Sequence, residues 1–114
     1  MKYVYPAIFR KDKTSPDCYA IEFPDIKGAV TSGYTLYESI DMAEDLLSDI
    51  LCDHEDCINK RVSAPTPINE VVAEVDEYST EAFVTIIKAD TDAYRKLLAA
   101  EKNKSKSEPS VGAA

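Results

Sequence analysis

The stretch that decides the fold runs from Cys18 to Leu51. It reads Cys18-Tyr-Ala-Ile-Glu-Phe-Pro-Asp-Ile-Lys-Gly28, then Ala29-Val-Thr-Ser-Gly-Tyr34, then Thr35-Leu-Tyr-Glu-Ser-Ile-Asp-Met-Ala-Glu-Asp-Leu-Leu-Ser-Asp-Ile-Leu51. Tyr19, Ile21 and Phe23 alternate with Ala20, Glu22 and Pro24, the period of a half-buried strand. Pro24 cannot donate to a ladder and Gly28 permits a turn, so this strand is expected to end near Phe23. Ala29 to Ser32 reads as a second short strand, closed by Gly33. Thr35 then opens a helix, with Glu38 three residues on completing a capping box. Leu36, Ile40, Ala43, Leu47, Ile50 and Leu51 recur at helical spacing and make one apolar face.

Upstream, Lys2 to Arg10 reads as a strand with Tyr3, Tyr5, Ala7 and Phe9 on one face and Val4, Pro6 and Ile8 on the other. Pro6 argues for an edge position or a bulge. Lys11 to Asp17 is a polar turn leading straight into the Cys18 strand, which makes an antiparallel hairpin. Downstream, Ile58 to Ser79 is a long connection carrying Pro65 and Pro67. Val71, Val72 and Val75 leave a helical or an extended piece equally open. Glu81 to Lys88 is apolar and β-branched on both faces, the pattern of a well-buried fourth strand. Thr91 to about Asn103 reads as a second helix, capped by Asp90 or Thr91, with Tyr94, Leu97 and Leu98 as its apolar stripe. Residues 104 to 114 have the composition of a disordered tail. The fold class is therefore α+β, ordered β-β-β-α-β-α. An antiparallel sheet of three to four strands carries one main helix, and a short C-terminal helix follows in a single unit of residues 1 to 103.

The order Phe23-Pro24-Asp25-Ile26-x-Gly28, Thr31-x-Gly33, Thr35-Leu36-x-Glu38-Ser39-Ile40-x-x-Ala43 resembles the HicB-like antitoxins. Those are described by a strand ending Phe-Pro-Asp-Leu-Pro-Gly, a Thr-x-Gly strand and a helix opening Thr-x-x-Glu-Ala. Tyr5-Pro6-Ala7 is similar to the Tyr-Pro-Ala that often opens the family. The resemblance covers residues 3 to 51 and, weakly, the Pro65-Thr66-Pro67 loop. It implies a reduced ribonuclease H-like fold. It also implies an antitoxin that binds and neutralises a HicA-like toxin, a small basic ribonuclease that cleaves messenger RNA. Members commonly self-associate, so a homodimer or higher homo-oligomer is expected. The exposed hairpin edge and the Tyr-rich first strand offer the means. Members also carry a C-terminal ribbon-helix-helix or helix-turn-helix. After Asn103 this chain has no room for one, so direct DNA binding is not expected unless the chain continues further.

Charge agrees with a basic partner. The formal net charge is −8 over 114 residues, which disfavours nucleic acid, whose phosphates need Lys and Arg. Eight acids fall between positions 35 and 57 (Glu38, Asp41, Glu44, Asp45, Asp49, Asp53, Glu55 and Asp56) with no Lys or Arg among them. Acids in the first turn suit the helix dipole; those near Asp53 oppose it. The pattern reads either as a solvated face or as a surface for a basic partner. The candidate partner contacts are Asp41, Glu44, Asp45 and Asp49, with Pro65 and Pro67 of the connection.

Catalytic and cofactor signals are sparse. Cys52 and Cys57 are five residues apart, about 140° around a helix, so they cannot share an ion while the helix lasts. The lone His54 reads as a helix-end residue favoured by the dipole. The alternative function is a metal-dependent ribonuclease H-like nuclease or an orphan protein-binding domain. A nuclease needs several inward carboxylates on two ions, and only Glu22 and Asp25 lie in the central strand region. No enzyme activity, cofactor or metal is expected. Three cysteines, no leader segment and no apolar run of membrane length point to the cytoplasm and away from the membrane.

Overall fold

The computed structural model describes residues 1–56 and 62–112, with side chains described as far as Lys102. Its elements are β1 (Lys2–Asp12), β2 (Tyr19–Glu22), β3 (Val30–Gly33), α1 (Leu36–Asp56), β4 (Ser79–Asp90) and α2 (Thr91–Gly112), with a single 3₁₀ turn at Ile68–Glu70 before β4. The four strands form one antiparallel sheet in the order β3-β2-β1-β4. The α+β architecture read from the sequence holds.

The alternation along β1 and β2 places the core. Tyr5, Ala7 and Phe9 point to the same side as Ile21, because Phe9 is paired with Ile21, and as Ile87, because Tyr5 is paired with Ile87. All five are buried, and α1 covers them with Ala43, Leu47 and Leu51, each fully buried. Phe9 stacks on Phe83 across the ladder, with ring centroids 5.3 Å apart. On the other face Pro6 and Ile8 are also buried. The connection to β4 crosses that side, and Arg10 Nε donates to the Glu74 carbonyl at 2.8 Å.

Pro6 was expected at an edge, yet β1 is an inner strand. The hydrogen-bond parity explains this. Lys13 N–H donates to Tyr78 and the Met1 carbonyl accepts from Thr91, whereas Asp12 N–H donates to Cys18. Odd residues of β1 therefore address β4 and even residues address β2. Pairing with β2 begins only at Ile8, so the N–H that Pro6 lacks has no ladder partner to lose. The first strand consequently offers no free edge for self-association along its paired length. The fourth strand, read as well buried, is the edge strand, and of its residues only Ile87 and Ala89 are buried.

The start of α1 also departs from the expected stripe. Thr35 Oγ1 accepts from Glu38 N–H at 3.1 Å, the first half of the capping box. Leu36 and Ile40, assigned to the apolar face, are 43% and 37% exposed, while Ser39 is fully buried. Gly33 is the cause. A Cβ there would lie 2.5 Å from Ser39 Oγ and 2.6 Å from Ser39 Cα and N, so β3 and the first turn of α1 meet through glycine and serine. That approach rolls Leu36 and Ile40 outward.

Asp90 caps α2, accepting from Asp92 N–H at 3.1 Å and Ala93 N–H at 3.2 Å. The backbone is helical to Gly112, past the expected end at Asn103 and over most of the expected tail. Ala99-Ala100-Glu101-Lys102 continues as a run of good helix formers beyond the apolar stripe, while the stretch from Asn103 to Gly112, with Pro109 in it, has no helix-favouring composition. Val72 and Val75 lie outside regular elements and are exposed.

Candidate partner-binding surfaces

The loop from Phe23 to Ala29 builds the first surface. Ile26 N–H donates to the Phe23 carbonyl and Ala29 N–H to the Ile26 carbonyl, both at 3.1 Å, and Phe23 N–H closes the loop on Ala29 at 3.0 Å. Gly28 turns with φ +82°, which favours glycine. Asp25 is freed to point away from the loop. Its carboxylate accepts from both Thr66 N–H, at 2.9 Å, and Thr66 Oγ1. Tyr5 Oη donates to the Ser63 carbonyl at 2.9 Å. Burial, and then the charge of Asp25, push the Tyr5 phenol up. Together Asp25 and Tyr5 fix the proline-bearing connection against the sheet. Between this loop, Val62 and the Leu46, Ile50 and His54 flank of α1 lies an open cleft of about 890 Å³.

The second surface is the opposite flank of α1, where most of the acids lie. α2 runs along it. Glu44 and Ser48 share a cleft of about 630 Å³ with Tyr3, Ala89, Tyr94 and Leu97. The Tyr94 phenol is pushed up by burial and then by the charges of Asp45 and Asp49. Nearer the end of α1, Arg95 reaches across. Its guanidinium donates to Asp56 at 2.9 and 3.0 Å, to Glu55 at 3.1 Å and to the Cys52 carbonyl at 3.2 Å. Hydrogen bonds to Asp56 and then Glu55 hold it firmly charged. The acids that oppose the dipole at the end of α1 are thus met by the chain's own cation. Sequence reading missed this pairing, although acids at a helix C-terminus are themselves the signal that a cation is needed nearby.

The six candidate contacts are not brought together. Asp41, Asp45 and Asp49 are exposed and Glu44 is half-buried, on the flank that α2 follows. Pro65 and Pro67 are exposed beside Thr66, on the Asp25 side. The body of α1 separates the two groups.

Other chemistry has little to work with. Glu22 accepts from Arg10 Nη1 at 2.9 Å, and Asp25 is held by Thr66. Among the described residues no group of three or more His, Cys, Asp or Glu side chains converges as a metal site would require. Cys52 is buried with its Sγ 3.9 Å from the Thr91 carbonyl, and burial pushes its thiol up. Cys57 lies outside the described residues. No helix among the described residues is long and apolar enough to cross a membrane.

No protein-family model and no curated protein sequence matches the chain. Among solved structures, the chain is similar to one in a toxin–antitoxin complex from Streptococcus pneumoniae. The TM-score is 0.67 at 21% identity, covering 82% of this chain and 73% of that one. It is also similar to a chain of the HicA3 and HicB3 toxin–antitoxin complex, with a TM-score of 0.57 at 16% identity, covering 77% of this chain and 99% of the other. At these identities the likeness is one of fold.

Proposed function

We propose that this protein is the antitoxin of a toxin–antitoxin pair, a HicB-like protein that binds and neutralises a small, basic, HicA-like messenger-RNA-cleaving toxin. The observation that carries the reading is the fold. A β3-β2-β1-β4 sheet with α1 across one face is shared with chains described as parts of toxin–antitoxin complexes. The residues that resemble the family lie in the Phe23 to Ala29 loop and the start of α1. The net charge of −8 suits a partner whose RNA-binding surface is basic. In this reading the protein acts in the cytoplasm by occlusion and without catalysis of its own.

Co-expression with a small basic protein encoded beside its gene is the direct test, and the absence of such a reading frame counts against the proposal. Growth is expected to be restored and the two chains to purify together. Toxicity that continues at full strength, with no complex recovered, sinks the proposal.

A kinetic prediction separates the two surfaces. Converting Asp41, Glu44, Asp45 and Asp49 to their amides is expected to slow toxin association about tenfold at low salt and to flatten its salt dependence, since rim charges act on the on-rate. The circular dichroism spectrum is expected to hold, because these side chains lie off the Ala43, Leu47 and Leu51 stripe. An unchanged association rate would assign the contact to the Asp25 and Thr66 side.

A further inference from the structure

We propose that the trough between α1 and α2, floored by β4, seats an amphipathic helix of another protein, one with apolar side chains on one face and Lys or Arg beside them. The inference names a mode of contact and stands whether or not that protein is a toxin.

Strand parity sets the floor. Phe9 is paired with Phe83, Tyr5 with Ile87 and Tyr3 with Ala89, so Phe83, Thr85, Ile87 and Ala89 all lie on the α1 side of the sheet. Neighbouring strands are about 4.8 Å apart, so four span about 14 Å, while one helix with its side chains is about 10 Å across. The edge strand β4 is therefore left to a second helix. α2 takes that place only at the Ala89 end, where Ala93, Tyr94 and Leu97 face Glu44 and Ser48 of α1 across the cleft of about 630 Å³. Away from that end the floor opens. Ala89 and Ile87 are buried, Thr85 is half-buried and Phe83 is 38% exposed.

The α1 wall changes in the same direction. Helical spacing puts Tyr37, Ile40, Glu44, Ser48 and Glu55 on one face. At the far end of that face Ser48 is buried, and Glu55 accepts from Thr91 Oγ1 at the start of α2. Nearer the start of α1, Ile40 is partly exposed and Tyr37 is 80% exposed. On the α2 wall Leu97 is 53% exposed although it lines the cleft. The trough thus has a closed end and an open end, and the apolar side chains along the open end are covered by nothing among the described residues.

The rim selects the occupant. Glu44 stands within this face of α1 and Asp41 and Asp45 flank it, and α1 contains no Lys or Arg. On α2, Glu101 follows Leu97 by one turn, whereas Lys96 and Lys102 fall off that row. Arg95 is engaged at the closed end by Asp56 and Glu55. Lys88, paired with Val4, lies on the opposite face of β4. After burial, the charges of Asp45 and Asp49 push the Tyr94 phenol up, so the negative field reaches into the trough. Apolar walls under an acidic rim fit a helix that buries Leu-like side chains and sets Lys or Arg against the acids.

A synthetic peptide of about 14 residues, about four turns, with Leu on one face and Lys on the other, is the probe. Fluorescence anisotropy with the full chain is expected to give a dissociation constant of about 10 μM at low salt, weakening as salt is added. Replacing Lys by Glu in the peptide is expected to abolish binding. Scrambling its order so that no Leu face remains is expected to weaken binding about tenfold or more. Leu97→Ser and Ile40→Ser, both at positions with exposed side chains, are each expected to weaken it about fivefold with the circular dichroism spectrum unchanged. Amide NMR spectra are expected to shift at Phe83, Ala89 and Leu97. A scrambled peptide that binds as tightly as the ordered one overturns the proposal, because charge alone then holds it. So do shifts confined to the Asp25 and Thr66 side, or binding that neither variant changes. A chain that self-associates through Ile40 and Leu97 and shuts the peptide out overturns it as well, since the occupant would then be a second copy.

Discussion

Gly33→Ala is expected to destabilise the fold by about 3 kcal/mol, at the upper end of what overpacking costs. The added Cβ would lie 2.6 Å from Ser39 Cα and N, and those atoms belong to the first turn of α1. No rotamer change relieves a contact with backbone. Either β3 must leave Tyr19, its pairing partner, or the start of α1 must lift from the sheet. Lifting α1 also exposes Ser39, which is fully buried where the first turn of α1 meets β3. Urea unfolding followed by circular dichroism is the measurement. The contrast is Gly28→Ala. That position has φ +82° but nothing within 4 Å of an added Cβ, so it is expected to cost only the conformational strain of about 1 kcal/mol. Equal losses at the two glycines would remove the close approach as the reason for Gly33.

The same contact shows where sequence reading reached its limit. Periodicity located α1 and its capping residue, and it placed Ala43, Leu47 and Leu51 in the core correctly, because each rests on local spacing alone. It put Leu36 and Ile40 there as well. What turns them out is the distance between β3 and α1, set by a glycine two residues before the cap, and no periodic pattern carries that distance. Strand order has the same character. Ala82 to Ile87 is apolar on both faces, which reads as burial on both faces. The structure satisfies the pattern on one face by α1 and leaves the strand at the edge. Pro6 misled in the opposite sense. It marked a missing N–H correctly, but a strand can be inner by order and unpaired on one side over part of its length. Of the candidate contacts, the exposed acids were legible as a composition. Their division from Pro65 and Pro67 by the body of α1 required the fold. Arg95 was invisible for a similar reason: its partners lie about 40 residues away in sequence, at 39 and 40 for Asp56 and Glu55.

Those partners support the second large effect. Glu55→Ala is expected to cost about 2 kcal/mol, and Glu55→Gln about half of that, in the range for hydrogen bonds to a charged group. The Glu55 carboxylate accepts from Tyr3 Oη and Thr91 Oγ1, each at 2.8 Å, and from Arg95 Nη2 at 3.1 Å. It thus joins β1, α1 and α2 at one point, with its side chain 20% exposed. Burial alone would raise the pKa of this carboxyl. The bonds from Tyr3, Thr91 and Arg95 outweigh it and hold the carboxyl below the ordinary value of 4.5. A folded-state pKa lowered in this way contributes stability in full above the unfolded value, and the contribution is lost as pH falls through the folded one. Urea unfolding at pH 7, 5 and 3 is therefore expected to show the gap between wild type and Glu55→Gln narrowing below about pH 4.5. Subtracting the variant cancels the other acids, including Asp12 and Asp76, whose pKa values are also lowered by local hydrogen bonds. The alkaline side has the opposite sign. Burial and the bond to Glu55 push the Tyr3 phenol up to about 12, so its contribution is complete below pH 10 and fails as pH rises toward that value. Two parallel stability curves from pH 7 to 3 would show that the junction holds without its charge. Arg95 would then be left to bind α2 to α1 through Asp56 and the Cys52 carbonyl alone.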